Sequence, residues 1–406
     1  METDELGLFS DRHAERGRRQ PARRRRKPRR GAGRKITMVV VTLVVLGLIG
    51  AGVWYGLTQV LGIDLDGYDD YAGPGEQDVV VEIPTGASTG VIAGRLVDAG
   101  VVASNKAFVK AAEGNQKVLG IQPGYYVMKT KTSAKDAITQ ILDPESRRGR
   151  LEIRGGWQLD DITKGDGKVE PGIVQRLADA SCAELNGKST CVPVEELRET
   201  AKTADLAALG VPEWAVPVAA ALEPQRRLEG LIVPGVYDVR PGSTAQELWQ
   251  KVISESATQM QAIGLPKVAE QTGFTPYQVL TMASLIEREA IEKDFGKVSR
   301  VTYNRLVNDM PLQYDSTVNY VLDRPDIRTK AEDRERAGPY NTYATRGLPP
   351  GPISAPSAKA IAAAVTPEAG NWLYFVRCQK DGTSCFAENA RQHEQNVEQA
   401  QANGAY

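Results

Sequence analysis

Pro123-Gly124-Tyr125-Tyr126-Val127 and Pro234-Gly235-Val236-Tyr237-Asp238 stand 111 residues apart, and the likeness runs on without a gap to Ile141-Leu142 and Val252-Ile253. Each copy reads as a short strand, a turn holding Ser or Thr, and an amphipathic helix. The apolar stripe is Ala137, Ile138 and Ile141 in one and Leu248, Trp249 and Val252 in the other. Upstream, Val81-Glu82-Ile83 is echoed by Leu151-Glu152-Ile153. Such repetition predicts two α+β units in tandem. The first covers 79–145, with a strand ended by Pro84-Thr85-Gly86 and a helix starting at Ser88. The second covers 146–273 and carries an insertion at about 165–225.

Ahead of the repeats the chain changes character. Residues 1–35 hold 13 Lys or Arg and 5 Asp or Glu, net +8, so a formal charge of -1 for the whole chain leaves -9 for the rest. The run Arg23-Arg24-Arg25-Arg26-Lys27, with Arg29, Arg30, Arg34 and Lys35, is followed by 28 residues, 36–63, without a formal charge. Spanning a membrane takes ~20 apolar residues, so a transmembrane helix is expected over 36–61. An acidic, turn-rich linker follows over 62–78. A cleaved signal peptide is the alternative, but its apolar core is only ~7–15 residues long and no clean small-x-small site follows. Lys/Arg excess marks the cytoplasmic side, so the expected arrangement is a single-pass cell-membrane protein with residues 1–35 cytoplasmic and the C-terminal 340 or so residues outside. Basic tails also bind nucleic acid by counterion release. With no aromatic residue in the tail after Phe9, a tail drawn to anionic lipid is the reading, and no nucleic-acid partner is expected.

Cys182 with Cys191 and Cys378 with Cys385 make two close pairs in the part placed outside, which predicts two local disulfides rather than reduced, inert thiols. The spacings lack the C-x2-C pattern of a zinc site. Only two histidines exist, His13 and His393. A Ser-His-Asp triad could therefore draw on His393 alone, and its polar C-terminal helix leaves it solvated. Asp381-Gly382 between Leu373-Tyr374-Phe375-Val376 and Phe386 signals a hairpin.

From Phe274 the pattern turns helical, and Thr275-Pro276 starts a helix expected over 276–293. At the helical period, Ile286, Val279, Ala290, Ala283, Leu280 and Ile291 share one arc, and Glu287 falls inside it, about 80° from Val279. Glu289 and Glu292 fall outside. A carboxyl set among Leu280, Ala283 and Ile291 loses hydration, favours its neutral form, and can then serve as a general acid at neutral pH. The competing reading is a structural ion pair with Arg300 or Arg305. Five prolines between 338 and 356 impose an irregular loop, of the kind that is often functional.

These residues resemble the endolytic murein transglycosylase family, YceG-like single-pass membrane lytic transglycosylases. The resemblance covers about 340 residues. Its specific parts are Ala283-Ser284-Leu285-Ile286-Glu287-Arg288-Glu289, Asn304-Arg305-Leu306, Leu312-Gln313-Tyr314-Asp315-Ser316-Thr317-Val318-Asn319-Tyr320, Tyr340-Asn341-Thr342-Tyr343 and Gly347-Leu348-Pro349-Pro350-Gly351-Pro352-Ile353. It implies an α+β fold class: one N-terminal transmembrane helix, LysM-like α+β modules with 79–145 binding peptidoglycan, and a mixed α+β catalytic domain over 274–406. The chain departs from the family where Arg154-Gly155-Gly156 replaces a Pro-Glu-Gly turn, and where Glu229-Gly230-Leu231-Ile232-Val233-Pro234-Gly235-Val236-Tyr237 lacks the family's aspartate.

The resemblance implies that Glu287 is the catalytic acid in cleavage of the β-1,4 bond between N-acetylmuramic acid and N-acetylglucosamine, leaving 1,6-anhydro ends and limiting strand length. Gln313, Asp315, Tyr340, Asn341 and Glu229 are the substrate-binding candidates. Against that, Asp315 also reads as an N-cap, Gln313, Tyr340 and Asn341 as loop braces, and Glu229 as a solvated strand-edge carboxylate. Two other functions fit the pattern: a non-catalytic peptidoglycan-binding division scaffold, and a two-carboxylate muramidase using Glu287 and Asp315. No cofactor or metal is implied, since Lys293 and Lys297 lie in charged surroundings unlike those of a Schiff-base lysine. Glycan strands, and with them peptidoglycan synthases and division proteins, are the expected partners.

Overall fold

In the computed structural model of the chain, which describes residues 32–55, 67–164, 167–322 and 329–405, Ser133 and Thr244 do the same work 111 residues apart. Each side chain accepts the N–H three residues on, from Asp136 or Glu247, and so opens the helices Ala134–Leu142 and Ala245–Ile263. The strands ahead of these helices pair in matching register. Asp78–Ile83 runs antiparallel to Gly124–Lys129 with Ile83 opposite Gly124 and Val81 opposite Tyr126. Arg150–Ile153 runs antiparallel to Gly235–Asp238 with Ile153 opposite Gly235 and Leu151 opposite Tyr237. The alternation of a pleated strand buries Val81, Ile83, Leu151 and Ile153 and exposes Glu82 and Glu152.

The first copy closes its own core, in which Ile83, Leu96, Phe108, Met128 and Ile138 meet. The second copy admits a long insertion between its strands, with the helices Ile173–Ala180, Val194–Thr203 and Val216–Ala221 and a disulfide between Cys182 and Cys191. One apolar cluster then runs from Leu151 through Leu177 and Trp249 to Val279, Val298 and Ile361. The packing therefore continues across the position between 273 and 274 where a domain boundary is expected.

The C-terminal hairpin pairs Tyr374–Arg377 with Ser384–Ala387, and Cys378 is bonded to Cys385 beside its turn. The helix Ala390–Ala402 covers it. His393 is half-buried and stacks on Tyr374, ring centres 5.3 Å apart, rather than standing in solvent. The hairpin supplies an apolar face that the helix's own polarity does not announce.

Residues 1–67 form a separate unit. Within it Ala32–Tyr55 is helical. Among the described residues no helix is long and apolar enough to cross a membrane, and this corrects the transmembrane helix expected over 36–61. The tail over 1–31 and residues 56–66, which hold the end of the expected span and the start of the linker, lie outside the described residues.

Candidate active site

The helix Pro276–Glu289 starts as its sequence directs. Pro276 takes the first position, and Thr275 and Gln278 satisfy each other's backbone N–H groups as a capping box. It ends at Glu289, four residues before the expected end, because Ala290 is extended (φ -138°, ψ 166°). Ala290 and Ile291 therefore leave the apolar arc. Tyr277 and every residue from Val279 to Ile286 are buried, so the helix is enclosed on all sides and the arc ceases to distinguish one face. Glu287 sits half-buried in the last turn.

Two other segments flank it. On one side lies Gly155, where a Cβ would stand 2.1 Å from Glu287 Oε1, so the carboxyl occupies the space a side chain there would need. On the other, the N–H of Ser357 donates to Glu287 Oε2 at 3.0 Å, and the Ser357 hydroxyl caps Ala358–Val365 by accepting the N–H of Ala360. The two flanks are themselves joined, since Gly156 N–H donates to Ala355 O and Ala355 N–H to Trp157 O. Arg288 donates to Gly156 O at 3.0 Å, and Ser284 accepts the N–H of Ile353 at 3.1 Å. The ion pair with Arg300 or Arg305 does not form: Arg300 donates to the carbonyls of Pro367 and Glu368, and Arg305 to those of Pro311, Leu312 and Leu373. Among the described residues no cation is paired with Glu287.

The neighbouring glutamate is the one that loses its water. Glu289, expected in solvent, accepts from both the hydroxyl and the N–H of Ser316, and burial raises its carboxyl above the usual range. Asp315, beside Ser316, is not a cap; Asp315–Asn319 opens with Tyr314 in that position and without a capping side chain. Instead Asp315 receives Thr329 Oγ1 at 2.6 Å, Tyr343 O–H at 2.7 Å and an ion pair from Arg334 at 3.3 Å. Asn341 is 3% exposed and braces its loop, donating to the carbonyls of Asp333, Arg334 and Arg336 and accepting the N–H of Tyr343. Gln313 is exposed with φ +54°, a left-handed conformation that non-glycine residues seldom adopt outside turns and functional sites. Its backbone is held by the carbonyl of Thr342.

Glu229 lies beneath these strips rather than in an open cleft, 2% exposed. Desolvation pushes its carboxyl up to about 7 against hydrogen bonds from Leu159 and Tyr320 that pull it down. Tyr340 is buried too, its phenol pushed up to about 12 by the same loss of water, with its ring 5.1 Å from that of Tyr320. An apolar groove of about 660 Å³, lined by Tyr277, Thr281, Val307 and the Gly347–Pro350 stretch, opens by the first half of the glutamate helix. Thr281 is six residues from Glu287, so the groove lies about 9 Å or more up the helix from that carboxyl. Sequence reasoning points to Glu287 but misses Gly155, Ser357 and Glu289. The capping serine at 357 is the signal for one of them, because a helix start presents N–H groups to an anion.

The YceG-like family model matches residues 81–399. An endolytic murein transglycosylase of Streptococcus pneumoniae is 26% identical over 376 residues, 88% of this chain and 64% of its own. One of Bacillus subtilis is 27% identical over 355 residues, 85% of this chain and 89% of its own. The chain thus spans just under two thirds of the pneumococcal relative. Among solved structures, a yceG-like protein of Listeria monocytogenes is 25% identical, covering 78% of this chain and 98% of its own at a TM-score of 0.47.

Proposed function

The chain belongs to the YceG-like family, and from that premise we propose that it is an endolytic peptidoglycan lytic transglycosylase with Glu287 as its acid and base. The observation that carries the reading is the Glu287 carboxyl itself. It is half-buried, unpaired by any cation among the described residues, and held between Gly155 and the Ser357 N–H. The likeness to the endolytic murein transglycosylases of Streptococcus pneumoniae and Bacillus subtilis supports the reaction class.

In this mechanism the Glu287 carboxyl protonates the glycosidic oxygen between N-acetylmuramic acid and N-acetylglucosamine as the C1–O bond breaks. The sugar's acetamido oxygen stabilises the electron-poor C1. The carboxylate left behind then takes the proton of the C6 hydroxyl as that oxygen closes on C1, giving a 1,6-anhydro end and returning the acid. One carboxyl suffices, where hydrolysis would use two. Asp315 is already committed to Thr329, Tyr343 and Arg334, which favours a bracing role for it over that of a second catalytic group. Gln313 is the exposed candidate for orienting sugar substituents.

The same proposal assigns glycan binding to residues 79–145 and catalysis to the region around 274–406, outside the cytoplasm, where the two disulfides are stable. Peptidoglycan synthases and division proteins are the partners that suit such a position. The test is mass spectrometry of purified glycan strands digested with the wild-type protein and Glu287→Gln. Internal fragments with 1,6-anhydro ends, reduced on the order of 100-fold or more in the variant, are expected for loss of a general acid. Reducing ends would shift the case to the muramidase, and absence of products from both proteins would leave the binding scaffold.

A further inference from the structure

Glu229 touches none of the reacting atoms in that mechanism, yet it anchors one of the segments that hold Glu287, and its neighbour Gly230 abuts the other. Its Oε2 receives the N–H of Leu159 at 3.2 Å and the O–H of Tyr320 at 3.3 Å, joining the 155–159 strip to the chain that leaves Asp315–Asn319. The next residue, Gly230, has φ +71°, and a Cβ there would stand 2.2 Å from Pro352, so the same turn is wedged against the 352–357 strip. Its Oε1 is buried without a hydrogen-bond partner among the described residues. So are the phenol oxygens of Tyr277 and Tyr340, each 3.4 Å from where a Cβ on Gly351 would lie. A charged carboxylate would leave one oxygen uncompensated in this enclosure, whereas a neutral acid places no charge there.

We infer that Glu229 is a positioning residue for the Glu287 reaction and acts as the neutral acid, fixing the two strips between which the Glu287 carboxyl is held. The catalytic part of this rests on the reading of Glu287 given above. The groups that face Glu229 are Asp160 beyond Leu159, the backbone of Gly230, Tyr320, Tyr277 from the glutamate helix and Tyr340 from the proline-rich loop, with Arg226 acting on Tyr320 and Tyr340 and Glu223 on Tyr340. Arg226 is engaged by Glu223 at 2.9 Å and lies 4.5 Å over the Tyr320 ring, and Asp160 is paired with Arg198. Burial therefore governs, and the carboxyl changes charge near neutral pH. Ionisation would strengthen the bonds that Oε2 accepts but place a charge in an enclosure without water, so the 155–159 strip opens to hydrate it and the acid doubles as a brake at alkaline pH.

Hydrogen exchange read by mass spectrometry on the full chain, for peptides covering 154–160 and 352–358 from pH 5.5 to 8.5, tests this in wild type, Glu229→Gln and Glu229→Ala. After correction for intrinsic exchange, wild-type protection of both peptides should fall about tenfold across pH 7. Glu229→Gln, permanently neutral and of the same shape, should show no such step, and Glu229→Ala should be unprotected throughout. In parallel, kcat should fall more steeply above pH 7 in wild type than in Glu229→Gln, with KM unchanged in both. Unbroken wild-type protection across pH 7, or the same kcat limb in Glu229→Gln, overturns the inference even if Glu229→Ala fails to fold. The exchange step without any Glu287-dependent cleavage would sink the reading of Glu287 instead and leave the positioning of the strips standing.

Discussion

At Gly155 the site depends on an absent atom. A Cβ there would meet Glu287 Oε1 at 2.1 Å, and the atom it would displace is the free end of a flexible side chain. Gly155→Ala should therefore cost little stability, within about 1 kcal/mol, yet move the carboxyl off its place. Activity should fall roughly 100-fold, as a misplacement on the order of 1 Å can do. Paired melting curves and rates check this, and an unstable but fully active variant would refute it. On the far side Ser357 separates two roles: its hydroxyl caps a helix and its N–H holds Glu287. Ser357→Ala should lose about 1 kcal/mol of stability with little change in rate. Ser357→Pro, whose φ suits the observed -72°, removes the N–H as well as the hydroxyl and should lower the rate in addition to that loss of stability. Periodicity points to Glu287 because the helix is apolar. It cannot point to Gly155 or to the Ser357 N–H, which are 132 and 70 positions away and are brought in only by tertiary packing.

Among the elements, the glutamate helix is legible at its start and not at its end. Thr275, Pro276 and Gln278 announce a local capping box, but Ala290 carries no stop signal, and the pull of Ser316 on Glu289 lies outside the local chain. The Asp315 reading fails for a related reason. Asp-Ser-Thr is a common cap, yet here the carboxyl is taken by three partners from 329–343. These bonds make Asp315 the peg on which that loop hangs. Asp315→Asn keeps one acceptor oxygen but loses the charge, so stability should drop by about 1–3 kcal/mol, measured by denaturant unfolding. Residual product from this variant should still end in 1,6-anhydro sugar; reducing ends only in the wild type would make Asp315 a second catalytic carboxylate.

For the molecule as a whole, the buried acids set a pH dependence opposite to that of a protein held by surface ion pairs. Glu229 has its ordinary value of 4.5 when unfolded and is raised to about 7 when folded. The native state binds its proton more tightly, so the contribution is complete below about pH 4.5 and is lost as pH rises towards 7. It amounts to on the order of 3 kcal/mol, and Glu289 adds a term of the same sign. Denaturant midpoints across this range should fall with rising pH and flatten in Glu229→Gln; a rise would contradict the assignment. The tandem repeat is the part of the architecture most open to sequence reading, because the second strand and the helix cap of each copy recur at a fixed offset of 111 and the same register recurs in both pairs. Its shared register also bears on how the chain assembles. Ile83 meets Gly124 across 41 positions, and Ile153 meets Gly235 across 82. Doubling the length of chain to be closed adds only about 0.6 kcal/mol of closure entropy, so the second copy can host an insertion with its own helices and disulfide at slight thermodynamic cost. The penalty falls on time instead: the shorter closure of the first copy gives it the head start in folding, and the longer one completes later.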